Sequence, residues 1–266
     1  MSQSKSRPLV EISNGSKVYH STRGDVTALD HIDLDFADGE FVSVLGPSGC
    51  GKSTLLRCLA GLDSLTSGTI KIDGQLISGP PPNLGVVFQR DVLLEWRTVL
   101  SNVLLPIEIA RLDLSAWEDR ALALLDLLGL TKFAHRHPWE LSGGMRQRVA
   151  ICRALLMNPK LLLMDEPFGA LDAMTRDDLN LELQRVWMAD AKTVFFVTHS
   201  ISEAIFLGDR VVMMSPAPGR VAEIIKVDLP RPRDLAVRET PAFGEMTKHA
   251  RSLFQTTGIH SVTKVI

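Results

Sequence analysis

The stretch Leu45–Thr54, "LGPSGCGKST", constrains the fold more than any other part of the chain. It directly follows "FVSVL" (Phe41–Leu45), a short apolar run that predicts a buried strand. Gly46, Gly51, Lys52 and Ser53 meet the pattern G-x-x-x-x-G-K-[ST], and the helical pattern "KSTLLRCLAGL" comes next. A strand that ends in glycines exposes backbone N–H groups. A helix that begins there points its N-terminus at the same place, which suits a phosphate. The loop of Gly46, Pro47, Ser48, Gly49, Cys50, Gly51, Lys52, Ser53 and Thr54 is the first candidate binding site, and Lys52 is its only side-chain cation.

Composition narrows the classes that such a loop can serve. Hydrophobic residues are 45% and charged residues 23% of 266, as in ordinary soluble globular proteins. A net charge of -2 with no basic run argues against nucleic acid as a partner. The opening "MSQSKSRPLV" lacks the apolar core of a signal peptide. The most apolar neighbourhood, "VLLEWRTVLSNVLLPIEIA", is interrupted by Glu95, Arg97 and Pro106, so no membrane-spanning segment is expected. Cys50, Cys58 and Cys152 are odd in number and lack metal-ligand spacing, which fits a reducing cytosol.

Along the chain, strand-like alternation ("LVEIS", "VTALDHIDLDF") precedes the loop, and "GTIKIDGQLI" and "NLGVVFQ" follow it. From about Val92 to Asn158 a helical period dominates. In it, Ala121, Leu122, Leu125 and Leu128 share one face, and a second helix is expected from Ser142 to Met157. Apolar strands return with "KLLLMD", "TVFFVTH", "DRVVMMS" and "RVAEIIKVDL". Near-continuous apolar strands among helices predict a mainly parallel sheet covered on both faces. "LPRPRD" breaks this pattern, and residues 231–266 read as a helical tail after a domain of residues 1–230.

Two further motifs carry chemistry. "LLLMDEP" ends an apolar strand in Asp165 and Glu166. An aspartate there can hold Mg²⁺ through water, with Ser53 as a direct hydroxyl ligand, and the second carboxylate can polarise an attacking water. "LSGGMRQRVA" supplies a second helix N-terminus suited to an anion: Ser142 is a good N-cap, and Gly143 and Gly144 allow close approach of the backbone.

With these residues in order, the sequence resembles the nucleotide-binding subunit of an ATP-binding cassette (ABC) transporter over nearly its whole length. The family signature LSGGQ is here "LSGGM", with Met145 in the fifth place. The resemblance implies an α/β P-loop NTPase core with a mainly parallel sheet, an N-terminal antiparallel β subdomain and a helical subdomain inserted at about residues 90–160. It implies that Tyr19 stacks on adenine, that Lys52 reaches the β- and γ-phosphates, and that Gln89 touches Mg²⁺ and the attacking water. Ser53 and Asp165 complete the implied metal site. Glu166 and His199 are the implied catalytic residues, and Asp172 of "GALD" is implied at a dimer interface. Ser142, Gly143, Gly144 and Met145 would face ATP held by a second subunit. The implied assembly is a head-to-tail homodimer on integral membrane permease subunits, at the cytoplasmic face of the cell membrane. A periplasmic or lipid-anchored solute-binding protein is implied as an indirect partner.

The run "LLEWRTVLSNVLLPIEI" resembles the importer group for nitrate, taurine and aliphatic sulfonates, although Glu95 stands where that group usually has proline. Related systems for pyrimidine or other vitamin precursors remain an alternative. A soluble ABC-type ATPase acting on ribosomes or DNA is disfavoured by the single compact cassette. A P-loop kinase or GTP switch is disfavoured by "LSGGM" and by the histidine of "FFVTH".

Overall fold

The computed structural model describes residues 8–22 and 24–256. In chain order the elements begin with β1 (Val10–Tyr19), β2 (Val26–Phe36), β3 (Phe41–Leu45), α1 (Lys52–Leu59), β4 (Ser67–Ile72) and β5 (Gln75–Leu76). Then come β6 (Leu84–Val87), α2 (Val99–Val103), α3 (Leu105–Ile109), α4 (Ser115–Leu127), α5 (Gly143–Leu155), β7 (Leu161–Asp165) and α6 (Ala173–Asp190). The chain continues through β8 (Thr193–Thr198), α7 (Ile201–Leu207), β9 (Arg210–Met214), β10 (Val221–Lys226) and α8 (Pro241–Thr256). Two compact units result, one from the described residues of Met1–Pro82 and Ala191–Ile266, the other Asn83–Asp190.

In the first unit, β2, β1, β4 and β5 form an antiparallel sheet in that order. The alternation of β2 buries Leu34 and Phe36 and exposes Asp33 and Asp35. At His31 the alternation slips: φ is +51°, and Leu29 and Ile32, three apart, are both buried. The pairings Gly15↔Ile32 and Lys17↔Leu29 set two steps on β1 against three on β2, which is a bulge. Strand β3 lies between β8 and β9, parallel to both, and all five of its residues are buried. That position explains its unbroken apolar run. Strand β10 closes the edge antiparallel to β9.

The tail earns its arginines here. Arg233, 3% exposed, donates from Nη1 to the carbonyls of Ile205, Phe206 and Gly208 at 2.8–2.9 Å. Arg231 donates to the Leu207 carbonyl and to Asp209. The "RPR" segment therefore satisfies the carbonyls that α7 leaves open at its C-terminus, with positive charge at the negative end of the helix.

In the second unit, β6 and β7 pair in parallel, and the helices α2 to α5 fall between them in sequence. The structure corrects the helical reading at one place. Residues 92–98 form no helix, and α2 begins only at Val99, capped by Thr98. The buried Asn102 side chain holds this loop. It accepts from the Leu94 N–H at 2.7 Å and donates to the carbonyls of Leu94, Arg97 and Thr98. Helix α6, 18 residues long, was absent from the sequence reading, as was the short α7. The buried face of α6 includes Asn180 and Gln184 beside Leu179, Leu183 and Val186, so its apolar stripe is interrupted.

Candidate functional site

The phosphate loop leaves β3 and enters α1 within the first unit. Gly51 caps α1 with φ +97°, and a Cβ there would meet the Ala28 carbonyl oxygen at 2.6 Å. Glycine is therefore required by conformation and by space. Lys52 is 5% exposed, and its Nζ donates to the carbonyls of Gly46 at 2.9 Å and Pro47 at 3.0 Å. The ammonium is folded onto the rim of its own loop. Ser48, Gly49 and Ser53 are exposed, Pro47 and Thr54 are half-buried, and Gly46 and Cys50 are buried. This is an open rim of backbone and hydroxyl groups around one positive charge, an arrangement that receives an anion.

Tyr19 is the last residue of β1 and is half-buried. Its hydroxyl donates to Asp63 Oδ2 at 2.8 Å, and Lys17 Nζ sits 4.9 Å from its ring centroid. Lys17 in turn donates to Asp63 Oδ1 at 2.5 Å. Asp63 went unremarked in the sequence, yet it holds both groups. The Lys17 ammonium first, and then the Tyr19 hydroxyl, keep its carboxyl below the usual carboxylate range. Burial and Asp63 raise the Tyr19 phenol, opposed by a hydrogen bond from Thr54 of the phosphate loop. These contacts hold the ring in one orientation, as the implied stacking on adenine would require.

A prediction follows from that geometry. Asp63→Ala frees the Tyr19 ring, so the KM for ATP should rise about tenfold with kcat little changed, the pattern of lost uniform binding. Steady-state kinetics check it, and an unchanged KM would remove Tyr19 from the binding surface. Because the folded value of Asp63 is depressed, its stabilisation is full above the ordinary carboxyl value of ~4. It is lost as pH falls through the lower folded value.

His199 follows β8 and is exposed, between two anchored neighbours. Thr198 Oγ1 donates to the buried Glu203 Oε2 at 2.6 Å and accepts the Ser200 N–H at 3.0 Å. Ser200 Oγ caps α7 by accepting from the Glu203 N–H at 3.3 Å. The backbone on both sides of His199 is thus fixed.

The second unit carries the remaining residues. Gln89 is exposed, two positions beyond β6. Asp165 ends β7 and Glu166 follows at φ +43°, a rare backbone conformation for a side-chain-bearing residue. Ser142 caps α5, its Oγ accepting the Met145 N–H at 3.3 Å. Ser142 and Gly143 are exposed, Met145 is half-buried and Gly144 is buried. Asp172 is exposed and binds Thr175 through both carboxylate oxygens. The structure brings the signature turn and Asp172 together through Thr175, a residue that the sequence reading passed over.

The loop after Gln89 is tied to α5. Arg153 donates to the carbonyls of Val92 and Asp91, each at 2.8 Å, and Arg146 Nε donates to Asp91 Oδ2 at 2.9 Å. Val92 sits at φ +48°. Trp96 is 73% exposed and Val92 55%, whereas Leu93 is buried at 8% and Leu94 is half-buried. Among the described residues no helix is long and apolar enough to cross a membrane.

Comparison with known proteins agrees with this arrangement. The family model described as "ABC transporter" matches residues 29–169. The taurine import ATP-binding protein TauB of Rhizobium johnstonii is 47% identical, over 87% of this chain and 90% of that protein. The nitrate import ATP-binding protein NrtD of Synechococcus elongatus is 44% identical, over 88% of this chain and 87% of that protein. The dimeric structure of a post-hydrolysis state of the ATP-binding cassette MJ0796, bound to ADP and Pi, matches with a TM-score of 0.74 and 35% identity. That match covers 84% of this chain and all of that one. An anion-receiving loop after a central parallel strand, carboxylates at the end of β7, a capped signature helix and these likenesses converge: this chain belongs to the ABC transporter family, as one of its ATP-binding, ATP-hydrolysing subunits.

Proposed function

We propose that this chain energises a bacterial importer for a small solute of the nitrate, taurine and aliphatic sulfonate class, as a head-to-tail homodimer seated on membrane permease subunits. The observation that carries the permease half is the loop after Gln89. Trp96 and Val92 expose large apolar surface there, while Asn102, Arg146 and Arg153 fix the backbone beneath them. Large apolar side chains left in water on a hydrogen-bonded backbone suit a docking surface. The names of TauB and NrtD support the solute class.

In this reading Lys52 and the loop N–H groups bind the phosphates, and Tyr19 orients the base. Ser53, Gln89 and Asp165 offer the hard oxygen donors that suit Mg²⁺, a cation that keeps several waters and takes few protein ligands. When bound, Mg²⁺ neutralises charge on the β- and γ-phosphates. Glu166 orients and deprotonates the attacking water, and His199 contacts the γ-phosphate. The rare backbone conformation at Glu166 supports a functional role, because such strain concentrates at working sites. Ser142, Gly143 and Gly144 would complete the γ-phosphate site of the second subunit. The expected place of work is the cytoplasmic face of the membrane.

Two measurements test this. Trp96→Glu should leave ATP binding intact and weaken sedimentation with permease-containing membranes about 30-fold, the effect of losing a tryptophan anchor. Full transport by that variant would overturn the docking surface. In the assembled transporter, binding protein loaded with taurine, nitrate or an alkanesulfonate should stimulate ATP hydrolysis. Stimulation by none of them would overturn the solute class.

A further inference from the structure

One side chain joins Asp172 to the signature turn. Thr175 lies in the first turn of α6. Its hydroxyl donates to Asp172 Oδ2 at 2.7 Å and its N–H donates to Asp172 Oδ1 at 3.0 Å. The carboxylate is gripped at both oxygens, and these bonds hold it below the usual carboxylate range. The hydroxyl proton is committed to Asp172, so the orientation of the whole side chain is set, and with it the direction of the methyl group.

That methyl group meets the signature. A Cβ built on Gly144 would lie 2.6 Å from Thr175 Cγ2, closer than real Cβ contacts allow. Gly143, by contrast, would meet only Leu171 Cδ2 at 3.7 Å, an ordinary contact. The two adjacent glycines are therefore glycines for different reasons. Contact with Thr175 excludes a side chain at 144. Among the described residues nothing excludes one at 143, where the backbone is exposed.

We infer that Thr175 is a positioning residue for ATP-driven pairing: its hydroxyl fixes Asp172, and its methyl sets the distance between the start of α6 and the signature turn Ser142–Gly144. The two segments that face the second subunit are then presented as one preformed surface. This rests on the shared-site reading of the signature proposed above. Preformation matters because each group ordered in advance need not be ordered when the two subunits close on ATP.

The experiment measures the ATP concentration for half-maximal dimerisation by light scattering in a Glu166→Gln parent, beside ATP binding to the monomer. Thr175→Val keeps the methyl shape and deletes the hydroxyl. It should raise the ATP needed for dimerisation about tenfold, as expected for one lost hydrogen bond to a charged group. Binding to the monomer should not change, which a general loss of structure would not allow. Thr175→Ser keeps the hydroxyl and deletes the methyl that sets the spacing, so alone it should raise the ATP needed about threefold, less than Thr175→Val. Gly144→Ala should abolish dimerisation beside Thr175 and largely regain it beside Thr175→Ser, because the obstructing methyl is gone. Unaltered dimerisation by Thr175→Val would overturn the role of the hydroxyl. Equal damage from Gly144→Ala on both backgrounds would overturn the role of the methyl. A Glu166→Gln parent that stays monomeric in ATP would instead sink the shared-site reading, and this inference with it.

Discussion

Glu166→Gln should leave the subunit able to bind ATP and unable to turn it over, and in ATP it should run as a dimer. Glutamine preserves size and hydrogen-bonding capacity but cannot take a proton from water. Loss of a general base lowers turnover by about 10²–10⁴-fold. The proposed binding groups Lys52, Ser53 and Tyr19 are all retained in this variant. Removing the carboxylate also removes its repulsion with the γ-phosphate, which favours the closed pair. Light scattering should therefore report a dimer in ATP and a monomer in ADP. Adding Ser142→Arg should restore the monomer, since it places bulk at the exposed cap of α5 where the phosphate must dock. Turnover at the parent rate would show that Glu166 is not the base.

Lys52→Ala should abolish hydrolysis and weaken ATP binding by about 10²-fold or more, a loss of the size seen when a preorganised electrostatic partner is removed. The geometry explains the severity. The ammonium bridges the carbonyls of Gly46 and Pro47, so truncation removes the loop's only side-chain cation and also two bonds that shape its rim. Lys52→Arg separates these effects. It retains the charge, but a planar guanidinium cannot take the place of a compact ammonium at 5% exposure. Isothermal titration with ATP and a phosphate-release assay measure both variants. Normal ATPase activity in Lys52→Ala would remove this loop from the phosphate site.

Several features were legible because neighbours in sequence create them. The run Phe41–Leu45 is β3 to the residue, and Val26–Phe36 is β2. Ser142 before two glycines and an amphipathic run is the cap of α5, as expected. The phosphate loop is a contiguous pattern whose chemistry lies in its own backbone. Each of these depends on conformational preference and periodicity within about ten residues, which composition and order encode directly.

Tertiary structure decided the rest. Asp63 reaches Tyr19 from 44 positions away, and Arg233 reaches Ile205 from 28. Neither residue carries a periodic signal, and a lone aspartate or arginine reads as a solvated charge until its partner is placed. The segment after Gln89 has a helical composition, but the single buried Asn102 takes its backbone groups and holds it as a loop. Helix α6 hid behind polar residues at buried positions. Gly144 looked like a ligand-approach glycine equal to Gly143, and only the packing of Thr175 against it separates the two. The sequence by itself determined the strands, the phosphate loop and the cap of α5, because local backbone energetics suffice for those. Which side chains hold them in working position depended on pairings between distant residues, and those exist only once the chain has folded.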